Sequence, residues 1–212
     1  MARSTLLASS VAALALLAAL PATAQDFTFS WGGTITSNYI SRGETQTGNR
    51  PAFQPWVEVE ANGFYGGLWA SNVRFGGGDP DRVELDIYAG YRWSIENTSF
   101  DIGYARYLYD RSGDAGGEFY ALVEHDAGAL TIFSGAYFGH SGSLTLNDAH
   151  AGVSLSLMDN LSASTSFGRS GGSNYGDVGL TYAINDNYDV DARVYRSNVL
   201  GTRAVVSLSF AF

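Results

Sequence analysis

The chain has no cysteine, no lysine, only 4 prolines, and no long apolar run after its first residues. Lack of cysteine excludes a disulfide framework and thiolate metal sites, and says nothing about compartment. Lack of lysine makes every basic residue an arginine. Basic residues are also scarce, with Lys+Arg 12 against Asp+Glu 21. Without Arg3, which falls in the leader discussed below, the balance is 11 − 21 = −10, which argues against a nucleic-acid partner. No later stretch approaches the roughly 20 apolar residues of a spanning helix.

What is present is glycine (26), aromatic residues (14%) and a repeated two-residue alternation. Residues Met1 to Ala24 read as a signal peptide: Arg3 is the positive start, Leu6 to Leu20 the apolar run, Ala22-Thr23-Ala24 the cleavage site. No cysteine follows, so no lipoprotein anchor is expected. Residues 25–212 then form one domain. Its last segment puts Ala204, Val206, Leu208, Phe210 and Phe212 on one face and Ser207 and Ser209 on the other. A period of two sends an apolar row toward lipid and a small polar row toward a lumen.

The same alternation predicts twelve strands: Phe27–Ile40, Phe53–Ala61, Phe64–Phe75, Arg82–Trp93, Phe100–Tyr109, Glu118–His125, Leu130–His140, Asp148–Met158, Leu161–Arg169, Tyr175–Ile184, Tyr188–Arg196 and Thr202–Phe212. Connections after even strands are tight, such as Asn62-Gly63 and Asp159-Asn160. Those after odd strands are mostly longer: 41–51, 76–81, 110–117, 141–147 and 170–174, with a short one at 198–201. Tight turns on one rim, longer loops on the other and an even count describe an all-β fold, a closed antiparallel transmembrane β-barrel in the outer membrane of a Gram-negative bacterium. The barrel must close because lipid offers no partner to a free strand edge.

Assigning polar faces to the interior collects Glu58, Glu60, Glu84, Asp86, Arg92, Asp101, Glu124, Asp177, Asp189, Asp191 and Arg193 as lining residues. Acids outnumber arginines there, which favours cations if the lumen is wet. The alternative is that arginines pair with the acids and pack the interior shut. Arg42 and Gly43 lie in the longest outer loop and are candidates for a constriction, although a solvated turn is the ordinary state of such a loop. Aromatic residues near strand ends, among them Tyr39, Trp93, Phe100, Tyr137, Tyr188 and Phe210, are expected to form interfacial girdles. Trp56 and Tyr88 alternate inward and are expected to pack the lumen.

Chemistry is sparse. The histidines are His125, His140 and His150, and Gly139-His140-Ser141-Gly142-Ser143 misses a nucleophile elbow at its last position, with no helix behind it. No residues have metal-ligand spacing, and no cofactor is implied. Gly76-Gly77-Gly78 leads into Asp-Pro, so it is a loop and not a phosphate cradle.

The most distinctive text is Thr36-Ser37-Asn38-Tyr39-Ile40-Ser41-Arg42-Gly43-Glu44-Thr45-Gln46-Thr47, then Pro51-Ala52-Phe53-Gln54-Pro55, then Gly63-Phe64-Tyr65-Gly66-Gly67-Leu68-Trp69-Ala70-Ser71-Asn72-Val73. It resembles the TorF family of porin-like proteins, as does Glu84 to Tyr91. Glu44, where that family has an apolar residue, and Asn38, where it has Asp, depart from the pattern. The likeness covers the first half; the second shares architecture and the terminal Phe212. In such barrels the terminal aromatic is read by the barrel-assembly machinery. The resemblance implies a barrel acting as a channel for ions or small solutes, with lipid around it. The competing readings are a non-conducting structural or adhesive barrel, and a lipid hydrolase. An oligomer is compatible with the pattern, but no strand is marked as a subunit interface.

Overall fold

A computed structural model of the chain describes residues 27–140 and 143–212. The signal peptide expected over 1–24 lies outside the described residues. Twelve strands form a closed antiparallel barrel. They are β1 (Thr28–Thr36), β4 (Ala52–Ala61), β5 (Phe64–Asn72), β6 (Val83–Ile95), β7 (Thr98–Tyr109), β8 (Gly113–Asp126), β9 (Leu130–His140), β10 (Leu144–Met158), β11 (Leu161–Ser170), β12 (Ser173–Asn185), β13 (Tyr188–Ser197) and β14 (Gly201–Ala211). A small hairpin, β2 (Ile40–Ser41) with β3 (Glu44–Thr45), belongs to the first loop. Each strand pairs with its sequence neighbour, and β1 closes the cylinder by pairing with both β4 and β14.

The seam is pinned at its lower end. Trp31 and Phe212 exchange both backbone hydrogen bonds, at 3.0 and 2.8 Å, and their rings stack at 4.8 Å. Tyr188 and Phe210 complete that aromatic patch, and on the neighbouring wall Tyr91, Trp93 and Phe100 stack in series with Phe64 tilted against Tyr91. Both groups lie on the rim that carries the tight turns, as a girdle should. Asn62 and Gly63 both have positive φ (52° and 84°), the conformation that a two-residue hairpin demands and that asparagine and glycine tolerate best.

The opposite rim differs from expectation. Segments 113–117 and 144–147 continue as strand, so only the first two loops on that side are long. Irregularities at Arg106/Leu108 and Leu146/Asp148 let these strands run on past the regular ladder. Conversely, β1 leaves the wall at Thr36 and not at Ile40, because Asn38 turns the chain inward. The Asn38 side-chain oxygen accepts from the Thr45 hydroxyl at 2.6 Å, and the Tyr39 N–H donates to Thr47 Oγ1 at 3.2 Å.

Two of the rim connections are stitched reciprocally. Asp81 accepts from the Ser112 hydroxyl (2.6 Å) and the N–H groups of Arg111 (2.9 Å) and Ser112 (2.8 Å). Asp110 accepts from the N–H groups of Arg82 (2.7 Å) and Val83 (3.0 Å). The Ser112 hydroxyl holds the Asp81 carboxyl below its ordinary value, and the Arg82 and Val83 amides do the same for Asp110. A lowered native pKa stabilises above the unfolded value, about 4, and that contribution is lost as pH falls through the lowered one. Amide protection at Ser112 and Val83 is therefore expected to hold at neutral pH and to drop below about pH 4. Protection that stays constant down to pH 2 would contradict this anchoring.

Candidate functional site

The alternation of exposure along every strand fixes which side chains enter the barrel. Glu58 and Glu60 enter from β4, Glu84, Asp86 and Arg92 from β6, and Asp101 from β7. Glu124 enters from β8, Asp177 from β12, and Asp189, Asp191 and Arg193 from β13. All of the strand residues singled out in the sequence therefore share the interior. It holds more than they suggest. Glu118 and Asp148, both nearly buried, also point inward, as do Tyr65, Tyr88, Tyr120 and Tyr137. The signal for Glu118 was its even spacing from Glu124. Asp148 stood at the start of a strand, where the preceding loop hid its face.

Three arginines organise this interior. Near the tight-turn rim, Arg92 grips Glu58 with both terminal nitrogens (2.6 and 3.1 Å) and reaches Glu60 (3.2 Å) and Asp101 (3.1 Å). Its guanidinium lies 3.6 Å over the Tyr65 ring, and the Tyr65 hydroxyl donates to Asp101 at 2.5 Å. Tyr65 fits because Gly90 lies beneath it: a Cβ there would sit 2.3 Å from the Tyr65 hydroxyl oxygen. Across the barrel, Arg193 pairs with Asp177 and with Asp191 (2.9 Å), and also donates to Ser164 (2.8 Å). The fork geometry of arginine suits such multiple carboxylate contacts.

The third arginine is Arg42, and it is not in a solvated turn. The loop 37–51 folds into the upper interior, and Arg42 donates to both oxygens of Glu118, at 3.0 and 2.6 Å. Its guanidinium lies 4.6 Å over Tyr137. Tyr107 and Asn147 also donate to Glu118, at 2.7 and 2.8 Å. The Gly43 carbonyl accepts from Ser197 on the far wall at 2.6 Å. Gly43 has φ 79°, and a Cβ on it would stand 2.5 Å from Tyr175, so both the turn and the fit require glycine. Two residues expected in the girdle belong here instead: Tyr39 packs edge-on against Trp69 at 5.5 Å, and Tyr137 lies inside. Alternation alone could not separate a rim aromatic from one covered by an infolded loop.

The remaining interior acids have no arginine partner among the described residues. Tyr109 donates to Glu84 at 3.0 Å, and Asp86 Oδ1 has no hydrogen-bond partner among the described residues. Asp148 accepts from Tyr175 at 2.7 Å and faces His150 Nδ1 at 3.0 Å. His150 is thus turned into the barrel, away from the lipid face where a barrel lipid hydrolase would need it. His125 is outside, near the tight-turn rim, within 3.0 Å of Thr98 Oγ1. Residues 141 and 142 of the near-elbow lie outside the described residues.

The walls differ in bulk. From β5 to β9 the interior carries Tyr65, Tyr88, Tyr107, Tyr120 and Tyr137, with Tyr175 and Tyr195 entering from β12 and β13, while β11, β14 and β1 present Ser162, Ser164, Ser166, Ser207, Ser209 and Thr34. A family model described as a bacterial protein of unknown function (Gcw_chp) matches residues 21–207. The chain belongs to this family. No curated protein matches the chain of this Gcw_chp member. Among solved structures, a KdgM porin aligns with TM-score 0.63 and 12% identity over 86% of this chain and 99% of its own. A KdgM porin in complex with disordered oligogalacturonate gives 0.59 and 10%, over 87% and 98%. The Acinetobacter baumannii outer membrane protein Omp33 gives 0.51 and 10%, over 88% and 98%. At these identities the likeness is one of fold, and the fold is an outer-membrane, porin-like barrel.

Proposed function

We propose that this Gcw_chp protein is an outer-membrane channel for passive diffusion of small solutes or ions, with a preference for cations. The porin-like fold and the TorF-like text from Thr36 to Val73 support the channel. The preference rests on one observation. Among the described residues, Arg42, Arg92 and Arg193 are shared among six interior carboxylates, those of Glu58, Glu60, Asp101, Glu118, Asp177 and Asp191. Surplus fixed acids in a narrow, low-dielectric passage raise the local cation concentration and repel anions. Oligogalacturonate, held by the similar KdgM porin, is a polyanion, so this interior suits a different cargo. On this reading the path runs past the small side chains of β11, β14 and β1, and Arg42 with Gly43 narrows it from above.

The same reading takes 1–24 as an export signal, Phe212 as the residue read during barrel assembly, and outer-membrane lipid as the surroundings. Purified protein in planar bilayers under a KCl gradient should show reversal potentials of the sign set by K⁺. Anion selectivity would overturn the preference, and absence of any conductance would overturn the channel.

A further inference from the structure

Arginines are distributed unevenly along the barrel axis. Arg92 and Arg193 lie in the interior and Arg42 above them. The other described arginines (Arg50, Arg74, Arg82, Arg106, Arg111, Arg169, Arg196 and Arg203) all lie at or next to the rim opposite the tight turns. The tight-turn rim instead carries Glu96, Asp126, Asp159 and Asp186. In an outer-membrane barrel the tight turns are periplasmic, so the arginine rim meets the outer leaflet.

Three of these arginines point outward from a strand: Arg106, Arg169 and Arg196. Arg106 is paired, with Asp114 and with the Tyr104 hydroxyl at 3.1 Å. The side chains of Arg169 and Arg196 have no hydrogen bond or ion pair among the described residues. Nor is a carboxylate among the residues paired with them. Arg169 stands opposite Ala149 and Asn174, and Arg196 opposite Gly176 and Thr202. Each is one residue below the end of its strand. Directly beneath them the wall is apolar and open, with Phe167 70% and Val178 58% exposed.

The two arginines flank β12 on either side, offset by two residues along it. Strand spacing and rise put their Cα atoms roughly 12 Å apart, close enough for two long side chains to converge on one group. Between them Gly176 leaves a dent in the wall, which Phe167 borders from the side. An unpaired guanidinium just above hydrocarbon is costly unless something anionic meets it. Its planar fork matches a phosphate.

We propose that Arg169 and Arg196 bind the phosphate of a phosphorylated glycolipid of the outer leaflet, with its acyl chain along Phe167. The proposal rests on the outer-membrane reading above but not on conduction, so its test is one of binding. Protein folded in detergent is titrated with bisphosphorylated lipid A, with the same lipid dephosphorylated, and with inorganic phosphate, and complexes are counted by native mass spectrometry. The phosphorylated lipid should bind at least about tenfold more tightly than the dephosphorylated one, as expected for two charge-assisted contacts. Arg169→Gln with Arg196→Gln should remove that difference while conductance is unchanged. Heat-modifiable gel mobility verifies that the variant is folded, and Arg106→Gln is the control that keeps the difference. Equal binding of the two lipids, or an unaffected double variant, would overturn the proposal. Displacement of the lipid by an equal concentration of inorganic phosphate would also overturn it, by showing a site for free anions.

Discussion

Replacing Arg42 by alanine is expected to enlarge the conductance and sharpen the preference for K⁺ over Cl⁻. The side chain is a strut across the upper interior, donating twice to Glu118 and lying over Tyr137. Its removal frees the loop tip at one of two anchors, leaving the Gly43 carbonyl on Ser197. It also leaves Glu118 with Tyr107 and Asn147 but no positive partner. A unit charge about 5 Å from a passing ion is worth about 0.8 kcal/mol in water-like surroundings, which is roughly fourfold in local occupancy. The permeability ratio should therefore rise several-fold. Arg42→Lys, keeping the charge but not the fork, should fall between the two. The barrel should stay folded, since the loop lies outside the strand ladder. Single-channel recording checks both parts, and identical conductance and selectivity in Arg42→Ala would show that this loop does not limit the path.

The second large effect concerns stability. Arg92→Leu removes the cation from Glu58, Glu60 and Asp101 and the contact with Tyr65, all at once. Breaking a mostly buried pair from one side costs about 3–5 kcal/mol, because the carboxylates remain without compensation. Replacing Glu58 by leucine in the same molecule should recover part of the loss, because one fewer acid is then stranded. Urea unfolding in phospholipid vesicles, followed by tryptophan fluorescence, measures both. Arg106→Ala, at an exposed pair with Asp114, is the comparison and should change little. A loss at Arg92 no larger than at Arg106 would show that the cluster contributes little to holding the wall together.

Most of the cylinder is legible in the sequence because its two strongest signals are local. A period of two assigns every side chain to a face, and tight turns such as Asn62-Gly63 mark where the chain reverses. Those rules put Glu58, Glu84, Asp101 and Asp191 inside the barrel, where their side chains lie. What alternation cannot carry is a contact across the barrel. Arg42 meets Glu118, and Gly43 meets Ser197, only because Asn38 takes the chain off the wall. Nothing in the periodicity of β1 announces that departure. The strand extensions at Gly113 and Leu144 were hidden for another reason. Gly113, Asp114, Gly116, Gly117 and Asn147 look like loop text, and pairing with a neighbouring strand overrides that local preference.

The junction of β1 with β14 has a consequence for biogenesis. Every other pair in the ladder joins segments adjacent in the chain, but this one joins residues near the two ends, such as Gly32 with Ala211. Bringing such distant segments together is the slow, entropically expensive part of folding a sheet. Until the last hairpin arrives, an emerging polypeptide exposes two raw edges that invite pairing with another copy. Insertion is therefore a race between ring completion and aggregation, and the interlocked tryptophan and phenylalanine at the base are the catch that ends it.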